Sequence, residues 1–298
     1  MCYRRGMQTP LHHPISDPSL APADPAGEPD YARRFGGVAR LFGQAAVERF
    51  RRAHVCVVGV GGVGSWTVEA LARSGVGHLT LIDLDHVSES NMNRQIQALD
   101  ATLGQAKVSA LAERIAQINP ACQVRAVDEF VDEKNVGQLL GVPGLDFVVD
   151  ASDQVVAKVA MAAFCRAQGL PLVTVGGAGG QRDATRVRVV DLAHTEHEAL
   201  LARVRKRLRN EHGFPRNLKA KFGIGAVFSD EPAQNPWNGA GAPDGDDSAA
   251  RSGGLNCAGF GSCVAVTAVF GMVAAGHVLE RLAAGAPPPL RPPVSRGA

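Results

Sequence analysis

A glycine-rich run supplies the first residues of this chain whose spacing suggests chemistry. After the strand-like segment 54–58 and before a helix-like pattern, the chain reads Gly59-Val60-Gly61-Gly62-Val63-Gly64. Glycines at this spacing permit a tight turn and let the backbone approach a ligand closely. The start of the following helix would present unpaired N–H groups and the positive end of its dipole to an anion. The run therefore predicts a binding site for a phosphate-bearing ligand.

Charged and polar residues follow the next strands, where they would surround that ligand. Asp83 ends the second strand-like segment, where a carboxylate can accept hydrogen bonds from ribose hydroxyls. Arg94 and Lys107 could bind a triphosphate, and Asp153 could hold a magnesium ion between its oxygens. We predict these three as catalytic residues, with Asp153 as the metal ligand.

The segments that must position these residues alternate between strand-like and helix-like patterns. Strands are predicted at 54–58, 78–83, 123–127, 146–150, 172–175 and 186–191, and helices at 63–73, 105–118, 133–140, 155–167 and 196–210. Such alternation requires a parallel sheet with helices on both faces. We therefore expect an α/β fold with a doubly wound, Rossmann-like, mainly parallel sheet and a C-terminal extension. The candidate residues would meet at the carboxyl edge of the sheet.

Composition along the chain predicts four segments. Residues 1–30 are proline-rich with little apolar periodicity and are expected to form a disordered arm. Residues 31–190 would form a core that binds the phosphate-bearing ligand. Residues 191–284 would form the extension, with a basic helix, a mobile loop at 230–254 and an apolar helix. The proline-rich residues 285–298 are expected to form a disordered tail.

The composition of the chain bears on disorder, cellular compartment, zinc binding and membrane association. The 298 residues carry a net charge of +2 and are 45% hydrophobic, which excludes disorder throughout. The six cysteines are scattered without C-x-x-C spacing, so we predict a reducing cytoplasm and no zinc. Residues 255–277 contain no Asp, Glu, Lys or Arg and are long enough to span a bilayer. Their many small residues favour burial against the sheet, and a peripheral or single-helix membrane association is left open.

The residues after the glycine run resemble those of the ubiquitin-activating-enzyme-like adenylating family. The resemblance covers about 33–190 and rests on segments 82–85, 89–95, 104–107 and 150–153. It implies that Asp83 binds ribose and that Asp153 binds magnesium. It also implies that the residues between them bind the phosphates, namely Asn91, Arg94, Gln95 and Lys107, and that residues 31–190 form an ATP-binding adenylation core. With the glycine run, the predicted ATP-binding residues are Gly59, Gly61, Gly62, Gly64, Asp83, Asp85, Asn91, Arg94, Gln95, Lys107 and Asp153.

The same resemblance implies a homodimer. In this family an arginine near the amino terminus reaches into the partner's nucleotide site. Arg34 and Arg40 both lie in the corresponding part of this chain. The sequence does not choose between them.

Three further segments, 34–43, 173–181 and 256–262, resemble the tRNA threonylcarbamoyladenosine dehydratase branch of that family. With them the likeness extends over 33–282, except near 232–253. It implies ATP-dependent cyclisation of threonylcarbamoyladenosine in the anticodon loop, through an acyl-adenylate, with release of pyrophosphate and AMP. It also implies a monovalent cation at the turn 176–180 and a cysteine-desulfurase sulfur-relay system as a partner.

A basic segment near residue 210 supports a tRNA partner independently. Its cations would contact phosphates and dock an anticodon stem-loop without reading its sequence, although a solvated helix face explains them as well. The predicted tRNA-binding residues are Arg203, Arg205, Lys206, Arg207, Arg209, Lys219 and Lys221. Cys257 is a candidate accessory thiol, although a direct acyl-adenylate route needs none.

Three alternatives remain open at this point. The first is an enzyme of the same fold that adenylates the C-terminus of a ubiquitin-like sulfur-carrier protein. Against it, this chain lacks the two C-x-x-C pairs usual in such enzymes. The second is a nicotinamide-dependent oxidoreductase that uses the same glycine run. The third is a tRNA-binding scaffold that has no catalytic activity.

Overall fold

A seven-stranded sheet forms the centre of the computed structural model, which describes residues 30–234 and 260–285. Its strands are β1 (His54–Val58), β2 (His78–Ile82), β3 (Gln123–Val127), β4 (Phe147–Asp150), β5 (Leu172–Val175), β6 (Val187–Asp191) and β7 (Gly225–Ser229). Their spatial order is β3-β2-β1-β4-β5-β7-β6. Neighbouring strands are parallel except β6, which pairs antiparallel with β7 at one edge.

Helices cover both faces of this sheet. They are α1 (Tyr31–Phe42), α2 (Gln44–Arg52), α3 (Gly64–Arg73), α4 (Lys107–Ile118), α5 (Val136–Leu140), α6 (Val155–Gln168), α7 (Ala199–Glu211) and α8 (Val264–Ala283). One apolar core joins α2, α3, α4 and α8 to the sheet, and a second joins α5, α6 and α7 to it. Along β1, Val55 and Val57 enter the first core, whereas Cys56 and Val58 enter the second. This alternation follows from the two-residue period of a strand.

The strand order places a ligand crevice beside β1. The chain proceeds outward from β1 through β2 to β3, and then returns to the other side of β1 with β4. The connections leave a gap at such a reversal, at the carboxyl ends of the strands. The glycine run after β1 and the residues after β2 and β4 therefore converge there.

The predicted fold class is confirmed, and the predicted elements recur within a few residues of their expected bounds. Three elements were not predicted: α1, α2 and β7. Strand β7 lies between β5 and β6, so the segment assigned to the C-terminal extension contributes a strand to the sheet itself. The predicted arm and tail, most of the loop 230–254 and Cys257 lie outside the described residues.

Helix α8 contains residues 264–277 of the apolar run that raised the question of a membrane. By length and composition it could cross a bilayer, and 44% of its most apolar window is buried in the protein. Val266, Phe270, Ala274 and Val278 are almost fully buried and belong to the first core. Gly271 lies so close to the backbone of Val63 and Thr67 that a side chain there would collide with α3. Burial against the sheet therefore accounts for the apolar character of this helix.

Candidate active site

The glycine run forms a tight connection between β1 and α3. Gly59 has φ +79°, a conformation that favours glycine, and a Cβ there would lie 2.9 Å from the backbone of Ala151 and Ser152. A Cβ on Gly64 would lie 1.8 Å from the carbonyl oxygen of Gly59. These two glycines therefore allow the loops after β1 and β4 to touch and the first turn of α3 to close over the run.

A cavity of about 660 Å³ opens beside this connection. Its size lies within the range usual for small-molecule sites, roughly 300–1,000 Å³. Every residue that the sequence predicts to bind ATP lines it, except Gly64, whose role is close packing. The structure thus brings together residues from the segments after β1, β2 and β4 and from the first turn of α4. Their contacts with nucleotide stay predictions.

Asp83 connects the end of β2 to the glycine run. One carboxylate oxygen accepts a hydrogen bond from the Val60 N–H at 2.7 Å, and the other accepts one from the Asp85 N–H at 2.9 Å. The side chain is largely buried, and burial raises the pKa of Asp83 against the opposing effects of Lys107 and the two N–H donors. This network fixes a carboxylate at the cavity wall, where the sequence predicts ribose.

Lys107 begins α4 and is almost completely buried, with 5% of its surface exposed. Its Nζ lies 2.7 Å from Oδ2 of Asp85, whose side chain is 59% exposed. The pair holds the ammonium group at the cavity wall. A cation placed there can attract the negative charge of a bound phosphate.

Arg94 is positioned through both its backbone and its side chain. Its carbonyl oxygen accepts a hydrogen bond from the Trp66 indole N–H at 2.9 Å, and Nη1 donates to the Ser90 carbonyl at 2.8 Å. Its aliphatic part lies against Gly62, where a Cβ would approach within 3.1 Å. The guanidinium group is therefore held beside the glycine run.

Asn91 and Gln95 lie on the same short segment and are almost fully buried. The Asn91 side chain accepts from the Ser88 N–H at 3.1 Å and caps the turn. The Gln95 side chain accepts from Gln97 at 3.2 Å, and Gln97 also donates to the Val60 carbonyl at 2.9 Å. These bonds attach the segment to the glycine run.

Asp153 lies in the loop after β4 and lines the cavity with two acidic residues that sequence reasoning missed, Glu129 and Asp132. Both follow β3, whose carboxyl end meets the same sheet edge. Carboxylate oxygens are the ligands that magnesium prefers, so the chemistry of each of these side chains suits that ion. Within 30–234 and 260–285, no group of three or more His, Cys, Asp and Glu side chains is close enough to form a metal site unaided. The predictions about magnesium and zinc stay predictions.

A buried ion pair beneath these loops was also missed. Nζ of Lys158 lies 3.1 Å from Oδ2 of Asp150, and both side chains are 0% exposed. Lys158 also donates to the Val175 carbonyl at 2.7 Å, and Thr174 donates to Asp150 at 2.6 Å. A lysine in an amphipathic helix is ordinarily exposed, so no sequence signal marked this one.

The turn 176–180 and the start of α8 complete the cavity wall. Gly176, Gly179, Ser262 and Thr267 line the cavity. Within the turn, the Gly180 carbonyl accepts from the Gln234 N–H at 2.7 Å. The predicted monovalent cation at this turn stays a prediction.

The predicted tRNA-binding residues divide into two groups. The first has structural contacts: Arg205 donates to Thr195, Arg207 pairs with Glu211 at 2.7 Å and Glu133 at 3.5 Å, and Arg209 donates to the Pro215 carbonyl at 3.2 Å. The second group is exposed, and its side chains form no hydrogen bond or ion pair with the described part of the chain. It comprises Arg203, Lys206, Lys219 and Lys221.

The basic helix lies close to the cavity. Glu133, the partner of Arg207, directly follows Asp132, which lines the cavity. Glu198 caps the start of α7 and also accepts from the Gly177 N–H at 3.1 Å. These two contacts, one at Glu133 and one at Gly177, bring α7 next to residues of the candidate site.

The two candidate arginines of α1 lie away from the cavity of their own chain. Arg34 donates to the Ile118 carbonyl at 2.7 Å, at the end of α4. Lys107 stands at the other end of that helix, about 16 Å away at 1.5 Å per residue. Arg40 is exposed in the last turn of α1. Neither residue lines the cavity.

The sequence and the fold are similar to those of known proteins. The model of the ThiF family matches residues 31–294. The chain is 48% identical over 262 residues to the tRNA threonylcarbamoyladenosine dehydratase of Escherichia coli, covering 86% of this chain and 96% of that protein. It is 43% identical over 254 residues to the enzyme of that name from Haemophilus influenzae, covering 85% and 94%.

A solved structure extends the similarity to the fold. The crystal structure of Escherichia coli tRNA N6-threonylcarbamoyladenosine dehydratase in complex with ATP has a TM-score of 0.75 to this chain. The two are 46% identical, and the match covers 85% of this chain and 95% of that one.

Proposed function

Because the chain belongs to the ThiF family, we propose that it uses ATP to dehydrate, and thereby cyclise, threonylcarbamoyladenosine in the anticodon loop of tRNA. The relatives with this name match nearly the whole length of the chain, and one of them binds ATP in a matching fold. The observation that carries the proposal is the single cavity that collects the glycine run, Arg94, Lys107 and Asp153. A hydride-transfer enzyme would not need the last three residues.

The reaction begins at the carboxylate of the threonylcarbamoyl side chain, which cannot lose oxide readily. A carboxylate oxygen attacks the α-phosphorus of ATP, the bond from that phosphorus to the bridging oxygen breaks, and pyrophosphate leaves. A nitrogen or oxygen of the same side chain then attacks the activated carbonyl carbon and expels AMP. The ring closes with the net loss of one water from the nucleoside.

In this scheme the residues of the chain stabilise the charge that develops during the reaction. Arg94 and Lys107 lie at the cavity wall and stabilise the negative charge that develops on the phosphates. Electrostatic stabilisation by groups that are fixed in advance usually contributes most to catalysis of this kind. Asp83 accepts hydrogen bonds from ribose, and N–H groups of the glycine run other than that of Val60 bind phosphate.

Asp153 would hold a magnesium ion, and Glu129 and Asp132 line the same cavity. When bound, the ion would neutralise phosphate charge and so assist departure of pyrophosphate. The carbonyls of the turn 176–180 remain the candidate ligands for a monovalent cation.

The assembly that we propose is a homodimer bound to tRNA. The exposed residues Arg203, Lys206, Lys219 and Lys221 contact tRNA phosphates, and Arg34 or Arg40 reaches the partner's cavity. The distance of Arg34 from its own cavity supports action on a partner chain. The sulfur-relay partner and the cytoplasmic location stay predictions.

Exchange of labelled pyrophosphate into ATP tests the adenylation step. We expect exchange that depends on tRNA carrying threonylcarbamoyladenosine and not on the same tRNA without the modification. Exchange stimulated by a ubiquitin-like carrier protein but not by this tRNA would instead favour carrier activation. Tight NADH binding without ATP binding would favour the oxidoreductase, and tRNA binding without ATP turnover would favour a scaffold.

A further inference from the structure

Asp150 and Lys158 form the most deeply buried ion pair of the described residues. Asp150 ends β4, Lys158 lies in the first half of α6, and neither side chain has any exposed surface. Lys158 donates to Oδ2 of Asp150 at 3.1 Å, to Thr174 at 3.2 Å and to the Val175 carbonyl at 2.7 Å. The ammonium group therefore has three close acceptors on two neighbouring strands.

Stability alone does not account for this arrangement. Removing two charges from water is costly, and replacing a buried ion pair by apolar residues of similar volume is often neutral or stabilising. The surrounding core is apolar, with Val148, Val159 and Leu172 fully or almost fully buried. An apolar pair would suit such a core, so the pair calls for another explanation.

The contacts of the pair connect two parts of the cavity wall. Asp150 Oδ1 accepts from the N–H and the hydroxyl of Ser152 at 3.2 and 2.7 Å, which shapes the loop that carries Asp153. Lys158 binds the carbonyl of Val175, which directly precedes Gly176. Val175, Gly176, Ser152 and Asp153 all line the cavity.

The glycine run rests against the same loop. Gly59 lies so close to the backbone of Ala151 and Ser152 that a Cβ there would approach within 2.9 Å. The glycine run therefore contacts the loop that the buried pair holds. The buried pair lies where three parts of the cavity wall meet.

We propose that Asp150 and Lys158 are positioning residues, which fix the loop that carries Asp153 relative to the turn that begins at Gly176. The inference rests on the proposed function for the identity of the reaction. The positioning itself concerns ATP and magnesium binding and can be tested without tRNA.

The test uses the full-length double variant Asp150→Asn/Lys158→Met, in which neither charge is left unpaired. ATP binding is measured by calorimetry with and without magnesium, and pyrophosphate exchange is measured with modified tRNA. We expect ATP affinity without magnesium to stay within about threefold of the parent. We expect magnesium to tighten ATP binding much less than in the parent, and kcat for exchange to fall at least about tenfold.

A matched control removes a second ion pair that lies away from the cavity. Glu69 is 4% exposed and pairs with Arg114 at 2.7 Å between α3 and α4, and also with the more exposed Arg73 at 2.6 Å. The variant Glu69→Gln/Arg114→Met should lower thermal stability but leave the effect of magnesium on ATP binding unchanged. If both double variants lose the magnesium effect equally, general loosening explains the result and the proposal is wrong.

A milder variant covers the case in which the double variant does not fold. Ser152→Ala removes only the hydroxyl that donates to Asp150. We expect it to weaken the magnesium effect on ATP binding severalfold at nearly unchanged thermal stability. A parental magnesium effect in a folded Ser152→Ala or Asp150→Asn/Lys158→Met protein would overturn the proposal. Normal ATP and magnesium binding by the parent without any tRNA-dependent exchange would overturn only the proposed function.

Discussion

Lys107 and Asp85 are joined twice, through backbone and side chain. The Lys107 N–H donates to the Asp85 carbonyl at 3.0 Å, and Nζ lies 2.7 Å from the Asp85 carboxylate. A cation in the first turn of a helix is disfavoured by the helix dipole, and Asp85 offsets that cost in the free protein. The arrangement holds a buried cation ready for the phosphates that enter the cavity.

We therefore predict that Lys107→Met lowers the rate of pyrophosphate exchange by about 100-fold or more, the loss typical when one fixed charge-stabilising donor is removed. The effect should lie mainly in kcat, because the ammonium group acts most strongly on charge that develops during the reaction. Steady-state exchange kinetics measure it directly.

Lys134→Met is the matched control for that prediction. Lys134 is exposed in the loop before α5, and its side chain has no hydrogen bond or ion pair within the described ranges. The Lys134→Met protein should exchange pyrophosphate at the parental rate. Equal rates for the folded Lys107 variant and the parent would remove Lys107 from the mechanism.

The partner arginine is tested by mixing inactive chains. If Arg34 acts across the dimer, Arg34→Ala and Lys107→Met should each be impaired, and their mixture should regain activity. In a mixed dimer, the Arg34→Ala chain keeps its own Lys107 and receives Arg34 from its partner, so one of its sites is complete. The same experiment with Arg40→Ala distinguishes the two candidates. Mixed dimers that form, as seen by native mass spectrometry, but stay inactive would contradict action across the dimer.

The exposed cations of the basic segment should give tRNA binding a steep salt dependence. Arg203→Ala and Lys219→Ala should each weaken binding of all tRNAs similarly and reduce the slope of log Kd against log salt by about 1. Filter binding over a series of salt concentrations measures that slope. Arg52→Ala, which removes an exposed arginine from α2, should leave it unchanged. A flat salt response in the parent would exclude this surface from tRNA binding.

Two half-buried histidines predict how stability depends on pH. Burial, and then the charge of Arg281, lower the pKa of His277 below its ordinary value of 6.5. Burial, and then His78, lower the pKa of His54. A lowered histidine pKa contributes stability above the unfolded-state value, and that stability is lost as the pH falls through the folded-state pKa.

The free energy of unfolding should therefore decrease as the pH falls from above 6.5 through the lowered folded-state pKa values, and the decrease should be smaller for His277→Gln than for the parent. Urea denaturation at a series of pH values provides the comparison. The His54 contribution should remain in that variant. Identical pH profiles for the two proteins would show that His277 does not contribute.

Local patterns predicted the elements that surround the cavity. Strands β1 and β4 are short apolar runs, and the glycines after β1 predict a tight turn. The spacing of these glycines after a strand therefore indicated where the site would form. Strand β7 was missed because its five residues follow a glycine-containing loop in a segment that reads as basic and irregular. Its position between β5 and β6 depends on pairing across the chain, which no local pattern reveals.

The predicted site was incomplete for a related reason. Asp83, Arg94, Lys107 and Asp153 could be found because they end or follow predicted strands, in segments that also carry the family resemblance. Lys158 could not be found, because an isolated lysine in a helix is ordinarily exposed to solvent, and only the fold shows which residues surround it. Glu129 and Asp132 were missed because they follow β3, whose place in the sheet determines that they reach the cavity.

Mass spectrometry of tRNA nucleosides tests the central claim most directly. The protein is incubated with ATP, magnesium and tRNA that contains threonylcarbamoyladenosine, and the tRNA is then digested. We predict that the nucleoside loses the mass of one water, with AMP and pyrophosphate released in equal amounts, and that Lys107→Met abolishes the change. An unchanged nucleoside after incubation with folded, ATP-binding protein would contradict the account.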